Sequence, residues 1–138
     1  MNFIISFVIS LILFFILDGI WISTNFNYYL TVLKKIQKEP FFLKIIPIII
    51  SYICLSISLY LYLKFSVYEI ETHKNYNKYL VILLYGFLFG LAVYGTYSFT
   101  SCTYYKNYTY YDGFKDTIWG IILYCIVGLV FIYNYKHK

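Results

Sequence analysis

Two aspartates set in apolar surroundings are the residues most able to do chemistry in this chain. Asp18 closes the run FIISFVISLILFFILDGIW, and Asp116 opens the run DTIWGIILYCIVGLVFIY. Each is followed three residues later by a tryptophan, Trp21 and Trp119, so acid and indole lie about one helical turn apart on one face. A third polar group, Tyr94, Tyr97, Thr100 and Ser101, ends the stretch GFLFGLAVYGTYSFTS from Gly86 to Ser101. Carboxylates, hydroxyls and indoles gathered at one end of a membrane bundle can hold a polar headgroup or small molecule, or accompany a proton. A charged aspartate at the centre of a membrane helix costs about 2.5 to 3.5 kcal/mol, so such a residue faces the protein interior or water. Asp18 therefore needs a partner: a neighbouring hydroxyl if it is protonated, Lys115 or a ligand cation if it is charged.

Other chemistries find little footing. Cys54, Cys102 and Cys125 contain no CxxC pair, which argues against disulfide exchange, and their expected role is that of small buried hydrophobes. His73 stands in a hydrophilic turn beside Glu69 and Glu71 without a partner at ligand spacing, so no metal site and no cofactor is expected. Asn107-Tyr108-Thr109 matches a glycosylation sequon, a weak signal beside a membrane.

The elements that carry these residues follow from composition. Of 138 residues, 62% are hydrophobic and only 12% charged, against about half and about a quarter in soluble domains, so the chain belongs in lipid. Its basic residues are all lysine, and its Ile, Phe, Tyr, Asn and Lys have A/T-rich codons. This points to an A/T-rich genome, that of a large DNA virus or a bacterium, and leaves open a cell, viral or host membrane. The net charge of +5 is spread over connections between apolar spans, which suits contact with membrane lipids and argues against nucleic acid.

Four apolar spans are expected in one membrane domain, residues 1–138: helices at about 3–23, 42–63, 79–99 and 116–135, an all-α, multi-pass four-helix bundle. The first has no basic start and no small-residue cleavage pattern, and reads as an uncleaved membrane helix. Between it and the second, Thr24 to Pro40 is polar and amphipathic, with Tyr28 and Tyr29 expected at headgroup level. Pro47 predicts a kink or a later start for the second span. Ser51, Cys54 and Ser58 place small side chains on one of its faces. At about 100° per residue, Gly86, Gly90, Val93, Tyr94, Tyr97 and Ser101 share one face of the third span, and Gly86 and Gly90 form a GxxxG pair suited to close helix contact. Gly120 shares the Asp116 face of the fourth span, where Asp116 is also placed to favour a helix N-terminus. Four spans bring the ends of the first and third and the start of the fourth to one membrane face, so all three polar groups converge. Lysines divide almost evenly between the two faces and leave the orientation open.

LDGIW at Leu17 to Trp21, FGLAVYGTYSFTS at Phe89 to Ser101 and DTIWG at Asp116 to Gly120 resemble the signature segments of the domain of unknown function 2177 family, small four-helix predicted membrane proteins. The resemblance spans nearly the whole chain and implies the same architecture and site location, with no established activity. Its third-span motif reads approximately T-Y-D-L-T-N, whereas this chain has Thr96, Tyr97, Ser98, Phe99, Thr100 and Ser101. Ser98 and Ser101 thus replace a carboxylate and an amide.

Three functions are weighed. Foremost is a small-molecule or lipid-headgroup binding or transport site formed by Asp18, Trp21, Tyr94, Tyr97, Thr100, Ser101, Asp116 and Trp119, with a homo-oligomer left open. The second is a structural or assembly protein in which these residues only fix packing and depth. The third, a membrane enzyme using Asp18 and Asp116 as acid and base, ranks last. The chain shows no nucleophile paired with a base, no His-rich motif and no phosphate-binding loop.

Overall fold

Apolar runs with no room for charge become helices in lipid, because only a helix or a closed barrel satisfies the backbone without water. The computed structural model describes residues 2–38 and 44–135. Helix α1 spans Phe3–Thr24, α2 Phe26–Gln37, α3 Ile45–Thr72, α4 Lys78–Gly90, α5 Thr96–Tyr104 and α6 Tyr110–Asn134. A π-turn, Leu91–Gly95, joins α4 to α5, so Lys78–Tyr104 forms one continuous span. Together with α1, α3 and α6 it makes four helices long and apolar enough to cross a membrane. The protein is an all-α, multi-pass integral membrane bundle.

Helix ends differ from the expected ones for local reasons. The expected start of the second span, Phe42, lies outside the described residues, as do Pro40, Lys136 and Lys138. The helix is in place from Ile45 with Pro47 in its first turn, where its missing N–H costs nothing. It continues to Thr72, well past Leu63, because Ser66, Val67 and Ile70 still face inward and bury. The fourth helix begins at Tyr110, six residues before Asp116. Thr109 caps it: the Asp112 N–H donates to the Thr109 hydroxyl at 3.4 Å, and the Thr109 N–H donates to the Asp112 carboxylate at 2.7 Å. The N-terminal role expected of Asp116 thus belongs to Asp112. Asp116 sits more than a turn inside the helix.

Packing centres on α6, which lies against α1, α4, α5 and the π-turn. Its glycines decide how closely. A Cβ on Gly90 would fall 2.5 Å from the Ile121 Cα, and one on Gly120 would fall 2.2 Å from the Tyr94 ring. Backbone therefore meets backbone along α4 and α6, as GxxxG pairs allow. Helix α1 contributes a stripe at four-residue spacing, Ser6, Ser10, Phe14 and Asp18, all buried. The core runs through Phe14, Leu59, Tyr62, Ile82, Tyr124 and Phe131. Its buried phenols are satisfied: Tyr62 donates to the Ile82 carbonyl at 2.9 Å and Tyr124 to the Ser58 hydroxyl at 2.8 Å.

The two ends of the bundle are distinct. Phe3, Phe131 and Tyr135 cluster at the end holding the first and last helix termini, where Tyr135 also donates to Glu71. At the other end the first and third connections meet, and the Asn107 amide, from the sequon, donates to the Lys35 carbonyl at 2.8 Å.

Candidate functional site

Asp18 is 6% exposed, on the inward stripe of α1. Its Oδ1 accepts the Tyr94 hydroxyl at 2.9 Å and, more weakly, the Trp119 indole N–H at 3.4 Å. Hydroxyl and indole are thus its partners, and Lys115 is not. Tyr94 reaches Asp18 from the π-turn, a backbone irregularity that often marks functional positions.

Trp21 and Trp119, one from each D-x-x-W segment, stack with ring centres 4.6 Å apart and planes 3° from parallel. Such a pair contributes about 0.5 to 1.5 kcal/mol beyond the area it buries. The Lys115 ammonium lies 5.4 Å from the Trp21 ring centre, 4.4 Å from that of Tyr28 and 5.8 Å from that of Tyr29, and donates to the Asn25 side-chain amide oxygen, Oδ1, at 2.6 Å. A cation is thus held by an aromatic cage through ring quadrupoles.

Helix α2 covers this end of the bundle. It is amphipathic, with Leu30, Leu33 and Ile36 half-buried and Lys34 and Lys35 exposed, and Lys38 in a left-handed conformation (φ 56°) terminates it. Tyr28 donates to Asp112 and Tyr29 to Asp116, while the Trp21 indole donates to the Tyr29 hydroxyl at 3.0 Å. Asp116 also accepts the Tyr108 hydroxyl at 2.8 Å. Hydrogen bonding to Asp112, helped by burial, pushes the Tyr28 phenol up to about 12. Burial, with a bond to Asp116, pushes Tyr29 and Tyr108 well above the ordinary phenol range. All three therefore stay neutral donors at any physiological pH.

Between α2, the end of α1, the first half of α3 and the π-turn with α5 lies a cavity of about 740 Å³. Asp18, Trp21, Tyr94, Tyr97, Ser101 and Asp116 line it, together with Tyr29, Tyr105 and Tyr108. Its opposite wall is mostly apolar, from Leu30, Leu33 and Ile36 of α2 and Ile50, Cys54 and Leu55 of α3, with Ser51 and Ser58 the polar exceptions. Trp119 stays outside the lining, stacked behind Trp21. Thr100 is exposed and also outside it.

The π-turn explains Thr100. Buried positions along this span step by four through Ile82, Gly86 and Gly90, then by five to Gly95, and by three to Ser98 and Ser101. One extra residue in that turn rotates everything after it, so Ser98 faces inward and is completely buried. Tyr97, expected at the polar site, is 69% exposed and borders the cavity. Ser101 spends its hydroxyl on the Tyr97 carbonyl, at 2.9 Å.

A family model described as "Predicted membrane protein (DUF2177)" matches residues 3–133, a range that holds both D-x-x-W segments and the π-turn span. The chain belongs to the DUF2177 family. Neither a curated protein nor a solved structure matches it. In this DUF2177 chain, the two aspartates among the described cavity residues are Asp18 and Asp116.

Sequence reasoning passed over Tyr28, Tyr29, Tyr108, Asp112 and the α3 wall. Asp112 had a readable signal, since Thr109-Tyr-Tyr-Asp112 has capping-box spacing. Tyr28 and Tyr29 read as headgroup anchors and Tyr108 as part of a sequon, and only tertiary placement pairs them with aspartates. No group of three or more His, Cys, Asp or Glu suited to a metal occurs among the described residues.

Proposed function

We propose that this protein binds a small molecule or lipid headgroup in the membrane, at the cavity beneath α2, and that any transport it performs passes through that site. One observation carries the reading: a cavity large enough for a drug-sized ligand has its carboxylates, Asp18 and Asp116, gathered with tyrosines at one side and faces a mostly apolar wall in which Ser51 and Ser58 are the polar exceptions. That is how ligand sites are usually built, with apolar area for affinity and a few fixed polar groups for orientation.

Native mass spectrometry of protein extracted from membranes tests this. The wild type is expected to retain an adduct that Cys54→Trp, which fills the cavity from the exposed side of α3, releases without loss of helicity. Equal adduct on both proteins sinks the reading.

The packing alternative keeps one specific observation in its favour: both aspartates already accept hydrogen bonds from neutral side chains of neighbouring elements. Asp18→Asn separates the two readings. Lost binding with retained stability favours a ligand site, and parallel loss of both favours packing.

A further inference from the structure

The cavity's electrostatics are one-signed. Among the described residues, its lining contains two carboxylates, Asp18 and Asp116, and no lysine or histidine. The sole ion pair among the described residues is His73 with Glu69, at the other end of the bundle. Both donors to Asp18 meet Oδ1, and no described donor reaches Oδ2, although the residue is only 6% exposed and borders the cavity. An unmatched carboxylate oxygen held in an apolar bundle is costly unless a proton or a cation answers it, and a cation can do so from the cavity that the residue borders.

The rings around it suit the same answer. Trp21, Tyr29, Tyr94 and Tyr97 border the carboxylate end of the cavity, and aromatic faces attract organic cations, more strongly when water is excluded. Trp21 and Tyr29 already do this for Lys115, which is not among the described lining residues. The opposite wall, Leu33, Ile36, Ile50 and Leu55, offers an alkyl chain an apolar lane.

Resting on the ligand-site reading above, we propose that the occupant is a net-cationic amphiphile, an alkylammonium whose head sits between Asp18 and Asp116 within the aromatic rings and whose chain lies along α2 and α3. A zwitterionic phospholipid fits less well. Its phosphate would enter with its ammonium and meet two carboxylates with no cation among the described lining residues to offset them.

Both tryptophans of the chain, Trp21 and Trp119, belong to this end of the bundle, so intrinsic fluorescence reports occupancy directly. The full chain in uncharged maltoside micelles is titrated with decyltrimethylammonium, decylphosphocholine and decyl sulfate. Saturable change with decyltrimethylammonium, at least about tenfold tighter than with the other two, is expected, equivalent to about 1.4 kcal/mol. Asp18→Asn and Asp116→Asn should each weaken it by a similar factor while the far-ultraviolet spectrum stays helical. Comparable saturation by all three probes overturns the cation assignment and leaves the ligand site standing. No saturation by any probe overturns both. Unchanged affinity in both asparagine variants places the cation elsewhere and overturns the proposal. The comparison of the three probes on the wild type decides the matter even where a variant fails to fold.

Discussion

Gly90→Ala and Gly95→Ala place one methyl group each on the same span, five residues apart, with sharply different expected outcomes. Both glycines have ordinary right-handed helical backbone, φ −60° and −63°, so neither substitution strains the chain itself. What differs is the neighbour. A Cβ at Gly90 would lie 2.5 Å from the Ile121 Cα, 2.7 Å from the Gly120 carbonyl oxygen and 2.8 Å from the Ile121 nitrogen. All three are backbone atoms of α6, which cannot rotate aside. Restoring ordinary contact near 3.5 Å requires α4 and α6 to part by about 1 Å. Such overpacking typically costs about 1 to 3 kcal/mol, against a gain of at most about 1 kcal/mol from the helix preference of alanine. Tyr94 is one turn away on the same interface, and its 2.9 Å bond to Asp18, lengthened by a similar amount, would cease to be a hydrogen bond. At Gly95 the nearest atoms are side-chain carbons of Leu91 and Thr117, each at 3.5 Å, an ordinary contact. Gly95→Ala should therefore be neutral or stabilising by up to about 1 kcal/mol. Unfolding in mixed micelles of increasing dodecyl sulfate, followed by tryptophan fluorescence, compares them directly. Coincident transitions, or Gly95→Ala as the less stable protein, would refute the claim that backbone contact between α4 and α6 sets the geometry at Asp18.

Other outcomes follow from the same contacts. Because the two tryptophans are nearly parallel at 4.6 Å, the wild type should show a coupled indole signal in circular dichroism that both Trp21→Phe and Trp119→Phe remove; its persistence in either variant would contradict the stack. The Tyr28 phenol is raised to about 12 in the folded protein and titrates near 10 when unfolded. Its contribution to stability should be complete below pH 10 and disappear as pH rises through 12, since the unfolded chain releases the proton first. The wild type should thus lose stability faster than Tyr28→Phe between pH 10 and 12, and parallel curves would remove Tyr28 from the account. In a cysteine-free background, Lys35→Cys and Asn107→Cys should be joined by a short bismaleimide, whereas Lys74→Cys should react only with reagent added from the opposite face. Labelling of Lys35→Cys and Asn107→Cys from different faces would sink the four-span arrangement.

Hydropathy carries the gross architecture, because a run such as Phe3 to Trp21 has no alternative in lipid to a buried helix. With four spans fixed, parity alone brings Asp18, Tyr94 and Asp116 to one face, and their convergence was legible for that reason. Helix ends were less legible. Hydropathy falls before a helix stops, and caps rather than polarity decide the end: Thr109 and Asp112 start α6 among tyrosines that read as a loop. Partners were less legible still. Nothing local to Tyr29 indicates Asp116, 87 residues away, since that contact exists only after α2 folds back over the bundle.

The face of the third span shows most sharply how local geometry redirects a site. A regular helix would keep Gly90, Tyr94, Tyr97 and Ser101 in line, with Tyr97 turned into the contact with α6. The π-turn at Leu91–Gly95 adds one residue to a single turn while leaving Gly90 seated against Ile121. Downstream positions rotate, so the small Gly95 and Ser98 take the interior and Tyr97 moves to the border of the cavity. Two needs are met together. Small residues let α5 stay close to α6, and a phenol too large for that contact becomes part of the cavity wall. Tyr94, within the turn, is left angled toward α1, where its hydroxyl meets Asp18. Asp18 is thus reached from the third span by a backbone irregularity that the α-helical period cannot reveal, and the phase of that turn governs which hydroxyls face the cavity.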